Sequence, residues 1–228
     1  LFSNSKINDF ISQWFCAYPI FQDNRVYRPY HLKHHRFTET DKDPDLALSA
    51  PFPITRKSFF RKVVRDLSGL TGYRRYSQAL LSIFKTKGDN GLDKIKKIWL
   101  KIHGFLITNA LIFGVVSIFL DWTLFFLLWW LPAFTYYSLI IRIRNIAEHC
   151  VTSGTTDLDN TRTTLTNPLV RFLMAPHGVN YHLEHHLFMM CPWYNLPKAH
   201  SMMIENGYED RMCIANSYRS VLMRAVSA

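Results

Sequence analysis

A forty-residue stretch with no Lys or Arg constrains this chain more than any other feature. All 27 Lys and Arg of the 228 residues lie outside 102–141, and the only acid inside it is Asp121. Asp121 divides the stretch into Ile102–Leu120 and Trp122–Ile141, each close to the ~20 residues that a membrane-crossing helix needs. Adjacent helices that are apolar on every face have no place in a small soluble domain, because a chain of this size lacks the mass to cover them. The expected architecture is all-α and integral to a membrane, with a transmembrane helical hairpin at about 102–141. Lys94, Lys96, Lys97 and Lys101 precede the hairpin and Arg142 and Arg144 come after it, whereas its turn carries no basic residue. The positive-inside tendency then places both open ends in the cytoplasm. Residues 1–101 and 142–228 share that face and are expected to form a cytoplasmic helical cap.

The formal net charge of +10 belongs to the cap. It suits anionic headgroups of membrane lipids or an acidic protein partner. The basic residues track the membrane flanks and no nucleic-acid-binding motif is present, so no nucleic acid is expected as a partner. Cys16, Cys150, Cys191 and Cys213 form no CxxC pair, which excludes a zinc ribbon or a disulfide framework. Phe10–Phe21, rich in aromatics and interrupted by Pro19, reads as an interfacial helix. Arg56–Asp66 interleaves five basic residues with Phe59, Phe60, Val63 and Val64, a basic amphipathic pattern suited to the headgroup layer.

The chemistry is concentrated in histidine. Six of the ten histidines form two copies of HxxHH, His31, His34, His35 and His182, His185, His186. Positions i, i+3 and i+4 fall within about 100° of arc on an α-helix, so each box points three imidazoles to one side, where they can hold a metal facially. At this histidine content two such boxes arise by chance with a probability on the order of 0.0002, which sets coincidence aside. His149 lies one turn beyond Asn145 on the helix that leaves the second apolar segment. An even number of spans separates it from His35, so all three clusters share one face. Seven imidazoles and one amide exceed what one ion takes. Without thiolates spaced to join them, a structural zinc site does not fit, and two imidazole-accepting ions do.

YHLKHHRFTETDKDPDL at 30–46, RNIAEH at 144–149 and NYHLEHHLF at 180–188 resemble the membrane fatty acid desaturases of the histidine-box, non-haem di-iron type, across essentially the whole chain. The resemblance implies that residues 1–228 are one desaturase domain. His31, His34 and His35 match its second box and His182, His185 and His186 its third. His149 corresponds to an additional iron ligand, and Asn145 to a residue that reaches an iron through water. The family also has an HxxxH or HxxxxH box at the end of an earlier span. Leu1–Asp9 resembles the segment just C-terminal to that box, so the chain is expected to lack its N-terminal spans and first box. The implied cofactors are two iron ions, with O2 as co-substrate. The implied reaction introduces a C=C bond into an acyl chain carried on a lipid, on CoA or on a carrier protein. A ferredoxin or a cytochrome b5 would donate the electrons. Glu148, Glu184 and Asp43 are candidate partners for the outer imidazole nitrogens, although acids at 41–45 also suit a turn. His103, His177 and His200 are left outside the site.

Two rival readings remain. Hydroxylases and ketolases of carotenoids, sterols or sphingoid bases use the same boxes. A non-enzymatic membrane metal-binding protein would need an ionisable pathway inside the spans, where 102–141 offers His103 and Asp121, both at segment ends.

Overall fold

The computed structural model describes residues 2, 4–152, 154 and 156–227. The chain is mostly helical: α1 (Ser5–Ile11), α2 (Asn24–Phe37), α3 (Leu46–Ser49), α4 (Arg56–Leu67), α5 (Leu70–Phe84), α6 (Gly91–Phe119) and α7 (Trp122–Phe125) make up the first half. The second half adds α8 (Leu131–Phe134), α9 (Tyr136–His149), α10 (Pro168–Met174), α11 (His182–Leu187), α12 (Leu196–Glu205) and α13 (Tyr218–Ala225). Two two-residue strands, β1 (Thr163–Thr164) and β2 (Ile214–Ala215), pair in parallel. The chain divides into two compact units, Leu1–Pro29 with Val63–Leu139, and Tyr30–Lys62 with Ile140–Ala228.

The first unit is built around α6. Asn90 caps it by accepting from Asp93 N at 2.8 Å, and Asp93 pairs with Lys97 one turn on at 2.7 Å. These polar turns continue straight into the apolar run, so the helix begins eleven residues before the expected Ile102 and is 29 residues long. Asp121 divides the two apolar segments as expected, and the reason is capping: its carboxylate accepts from Thr123 N at 2.8 Å and starts α7. Contacts then step backwards along α6, from Phe113 with Phe125 to Asn109 with Trp129 and Phe105 with Trp130. The two segments therefore run antiparallel over these residues. Asn109, a polar group in an apolar helix, is fully used: it donates to Pro19 O and Phe105 O and accepts from Trp129 Nε1.

The second apolar segment is not the uninterrupted helix that its composition suggests. Phe126–Trp130 widens into a π-turn ahead of Pro132, whose ring lacks an N–H and crowds the carbonyl four residues back. A second break comes at Thr135 (φ −105°, ψ −83°). Taken through these breaks, Trp122–His149 is nonetheless long and apolar enough to cross a membrane, as is Gly91–Phe119. Only 17% of the most apolar stretch of the first and 11% of the second is buried, the opposite of a soluble core helix.

The aromatic segment at 10–21 is helical but irregular. α1 passes into a π-turn at Ser12–Ala17 and a 3-10 turn at Tyr18–Ile20, and Tyr18 lies against Gly104 of α6. Gly72 meets backbone instead of a side chain: a Cβ there would lie 2.2 Å from the backbone oxygen of Phe134. Gly72→Ala is expected to destabilise by about 1–3 kcal/mol, measured as a lower thermal midpoint in detergent. An unchanged midpoint would mean that α5 and α8 can slide apart at no cost.

The second unit carries three small cores. Ile146, Cys150, Ala215, Val221 and Ala225 pack with Phe52 and Phe59. Ala147, Ala175 and Tyr218 form the next, and Leu183, Met203 and Met212 the third. α9, α11, β2 and α13 are thus fixed to one another by apolar contact. Phe59 of the basic amphipathic helix α4 faces inward, while Phe60 stays exposed.

Candidate metal centre

All seven expected imidazole ligands lie in the second unit. His31, His34 and His35 occupy the last two turns of α2, which ends where Thr38 Oγ1 bonds back to His34 O at 2.8 Å. His149 is the last residue of α9. His182, His185 and His186 sit on the short α11, started by the turn at Asn180–Tyr181, where Thr163 bridges to Tyr181.

The side chains form two clusters. In one, His31 Nε2 is 3.0 Å from His35 Nε2 and 3.3 Å from His185 Nε2, and the last two are 3.2 Å apart. In the other, His182 Nε2 is 2.9 Å from His149 Nε2 and 3.1 Å from His186 Nε2. His34 joins this second group, with all four ligand atoms within 4.8 Å of one another. Hydrogen bonding cannot account for the first triangle. Each Nε2 carries either one proton or one lone pair, so three of them facing one another leave at least one contact unsatisfied. A cation at the common focus satisfies all three. Nitrogens about 2.1 Å from an ion and at right angles to one another lie about 3.0 Å apart, matching the spacings found.

Electrostatics agree. Burial, reinforced by neighbouring imidazoles, pushes His31 down to about 4 and His35 down to about 3. It lowers His182, His185 and His186 in the same direction. Near neutral pH these rings are uncharged, the form that binds metal. The nearby thiol, Cys150, is pushed by burial up to about 12 and stays protonated, so it is no thiolate donor.

Of the three acids considered, Asp43 alone meets a box imidazole. It accepts from His34 Nδ1 at 2.8 Å, which turns Nε2 of that ring toward the cluster. The same carboxylate accepts from the backbone N–H groups of Glu39 and Asp45, both at close range, and so builds the turn as well. Burial alone would raise its pKa, but these donors outweigh it and hold Asp43 below the usual carboxylate range. Glu148 instead faces Arg144 one turn back, at 3.2 Å, because i−4 is the nearest charge on its own helix face. Glu184, fully buried, accepts from Thr163 Oγ1 and from His200 Nδ1, the latter at 2.6 Å. Facing away from the box imidazoles, it ties α11 to β1 and α12. Asn145 lies one turn before His149, with its side chain in no hydrogen bond within the described residues.

His103 stacks among Trp14, Tyr18 and Trp99, and His177 packs on Trp193, both apart from the clusters. His200 is the exception among the histidines set aside, through its bond to Glu184. Thr38 was also unforeseen: its hydroxyl stands 3.2 Å from His186 Nδ1. A threonine four residues after His34, at the helix end, is the one sequence cue for it. Thr38→Val keeps the shape and removes that contact. Metal affinity is expected to fall about 10-fold, read as metal retained after dialysis against a chelator. Full retention would show that packing alone orients His186.

Comparison with known proteins agrees with this geometry. The chain is 28% identical over 235 residues to dihydrorhizobitoxine desaturase of Bradyrhizobium elkanii, an alignment that takes in 91% of this chain and 62% of that protein. The chain thus spans about three fifths of the length of that relative. No solved structure matches it significantly. The family described as fatty acid desaturase matches over residues 1–214, which include both HxxHH boxes and His149. The chain belongs to the fatty acid desaturase family.

Proposed function

We propose that this chain carries the metal site of a membrane-bound di-iron desaturase that introduces a C=C bond into an acyl chain. The observation that carries the reading is the convergence of seven imidazoles on two foci, with no thiolate among them in the described residues. His31, His35 and His185 would hold one iron, and His34, His149, His182 and His186 the other, with Asn145 reaching an ion through water. Imidazole is a good ligand for non-haem iron, whereas structural zinc sites recruit cysteine. When bound, the two irons supply dioxygen chemistry: O2 takes two hydrogens from adjacent carbons, with two electrons and two protons from a donor, and leaves as two waters.

The chain's own residues hold that site in place. Asp43 and Thr38 fix the rings of His34 and His186, and burial keeps His31, His35, His149, His182, His185 and His186 neutral. The two long apolar helices would cross the bilayer as a pair and keep the boxes at its cytoplasmic surface, where an acyl chain can enter from the lipid. The basic residues beside those helices would meet anionic headgroups or an acidic electron donor such as a ferredoxin or a cytochrome b5. The relative is named a desaturase, which supports double-bond formation over oxygen insertion. Its name points to dihydrorhizobitoxine, so the acyl chain here rests on the family rather than on that relative.

The test is product analysis under 18O2 with the intact protein expressed in membranes. A new double bond without label supports the reading. A labelled hydroxyl or keto group overturns it in favour of a di-iron hydroxylase or ketolase.

A further inference from the structure

Thr161–Thr164 is the most deeply buried run in the second unit, with each residue at most 1% exposed. Two neighbours in it, Arg162 and Thr163, reach toward the two helices that supply His149, His182 and His186. We infer that they are positioning residues for the metal centre: Arg162 sets the approach of His149, and Thr163, through Glu184, sets α11. This rests on the di-iron reading above.

Arg162 surrounds His149 without touching its ring. Its guanidinium donates to Ala147 O at 3.1 Å, to Cys150 O at 2.9 Å and to Val151 O at 2.8 Å. Its backbone N–H donates to Glu148 O at 2.9 Å. The last carbonyls of a helix have no partners of their own and form the negative end of its dipole, so a buried cation is favoured there. Among the described residues no carboxylate pairs with Arg162, so these carbonyls are its compensation. Val151 has φ 54°, a conformation disfavoured for a β-branched residue. The bond to its carbonyl holds the sharp exit of the chain immediately after His149.

Thr163 acts on the other helix. Its backbone is fixed in the sheet by donation to Cys213 O at 3.0 Å, and its hydroxyl donates to Glu184. Glu184 lies between His182 and His185 on α11, and His200 Nδ1 holds its second oxygen. The two residues differ in reach. Arg162 touches α9, which serves only the His149 cluster. Thr163 touches α11, which serves both clusters, since His185 belongs with His31 and His35.

The experiment is Mössbauer spectroscopy of the intact 57Fe-loaded protein. Arg162→Met is expected to displace one iron doublet and leave the other as in wild type, with that iron bound about 10–100-fold more weakly. Thr163→Val is expected to displace both doublets, and Thr163→Ser to restore them. Arg162→Lys, which keeps the charge but loses the planar fork, replaces Arg162→Met if that variant does not accumulate. Arg162 variants whose doublets are both unchanged, or both displaced alike, overturn the assignment to His149. A Thr163→Val spectrum identical to wild type overturns the role of Thr163. A wild-type protein that takes up no iron overturns the di-iron reading itself, and that result is visible before any variant is compared.

Discussion

His182→Ala is expected to abolish turnover and to remove one of the two metal equivalents. His182 is buried, and its Nε2 lies within 3.1 Å of two other imidazole nitrogens, so it is the common neighbour of its cluster. Its loss leaves His149 and His186 aimed at an empty coordination position that no side chain on α11 can fill. Loss of an outer hydrogen-bond partner typically weakens a metal site by about 10–100-fold, and loss of a ligand exceeds that. The matching variant, His185→Ala, is expected to remove the other equivalent, because His185 belongs with His31 and His35. Metal analysis of the two purified variants, beside the double variant, decides the matter. If both single variants lose the same equivalent, the division into two clusters is wrong.

Asp43 separates two effects that one carboxylate combines. Asp43→Asn keeps one oxygen that can still face Asp45 N and His34 Nδ1, but it removes the charge that holds His34 and the second oxygen that accepts from Glu39 N. Metal affinity is then expected to fall by about 10–100-fold while the thermal midpoint falls by less than in Asp43→Ala. Asp43→Ala leaves both N–H groups without an acceptor, and the stability loss rises to about 1–3 kcal/mol. Chelator competition and thermal unfolding on both variants provide the two readouts. Equal stability losses in Asn and Ala would mean that the charge, and not the turn geometry, holds residues 39–45.

The two HxxHH boxes were legible because their chemistry shares the period of the helix that carries it: ligands at i, i+3 and i+4 need no tertiary information to be seen. Asp121 was legible for a similar reason, since an acid between two apolar runs is both a break and a cap. Other features depended on distance in the chain. Arg162 reads as an ordinary basic residue after a loop, and only the folded chain shows it inside the end of a helix 12–16 residues earlier. Glu184 sits among ligands in sequence, yet α11 is turned so that its carboxylate meets Thr163 and His200. The early start of α6 was hidden because lysines on a solvated first turn look like a flank. The π-turn was hidden because Pro132 marks a disturbance without specifying how the helix absorbs it.

The membership of the two clusters also dictates when they can exist. His31 and His35 meet their third member 154 and 150 positions downstream, and His34 sits with His149, His182 and His186. No stretch of chain emerging early in synthesis contains a complete cluster, and such long-range closures are the slow events of folding. Both apolar segments precede His185 and His186 in the chain, so on the di-iron reading metal is expected to load only after both have been made, and a chain stopped short of His185 would leave each cluster one imidazole short.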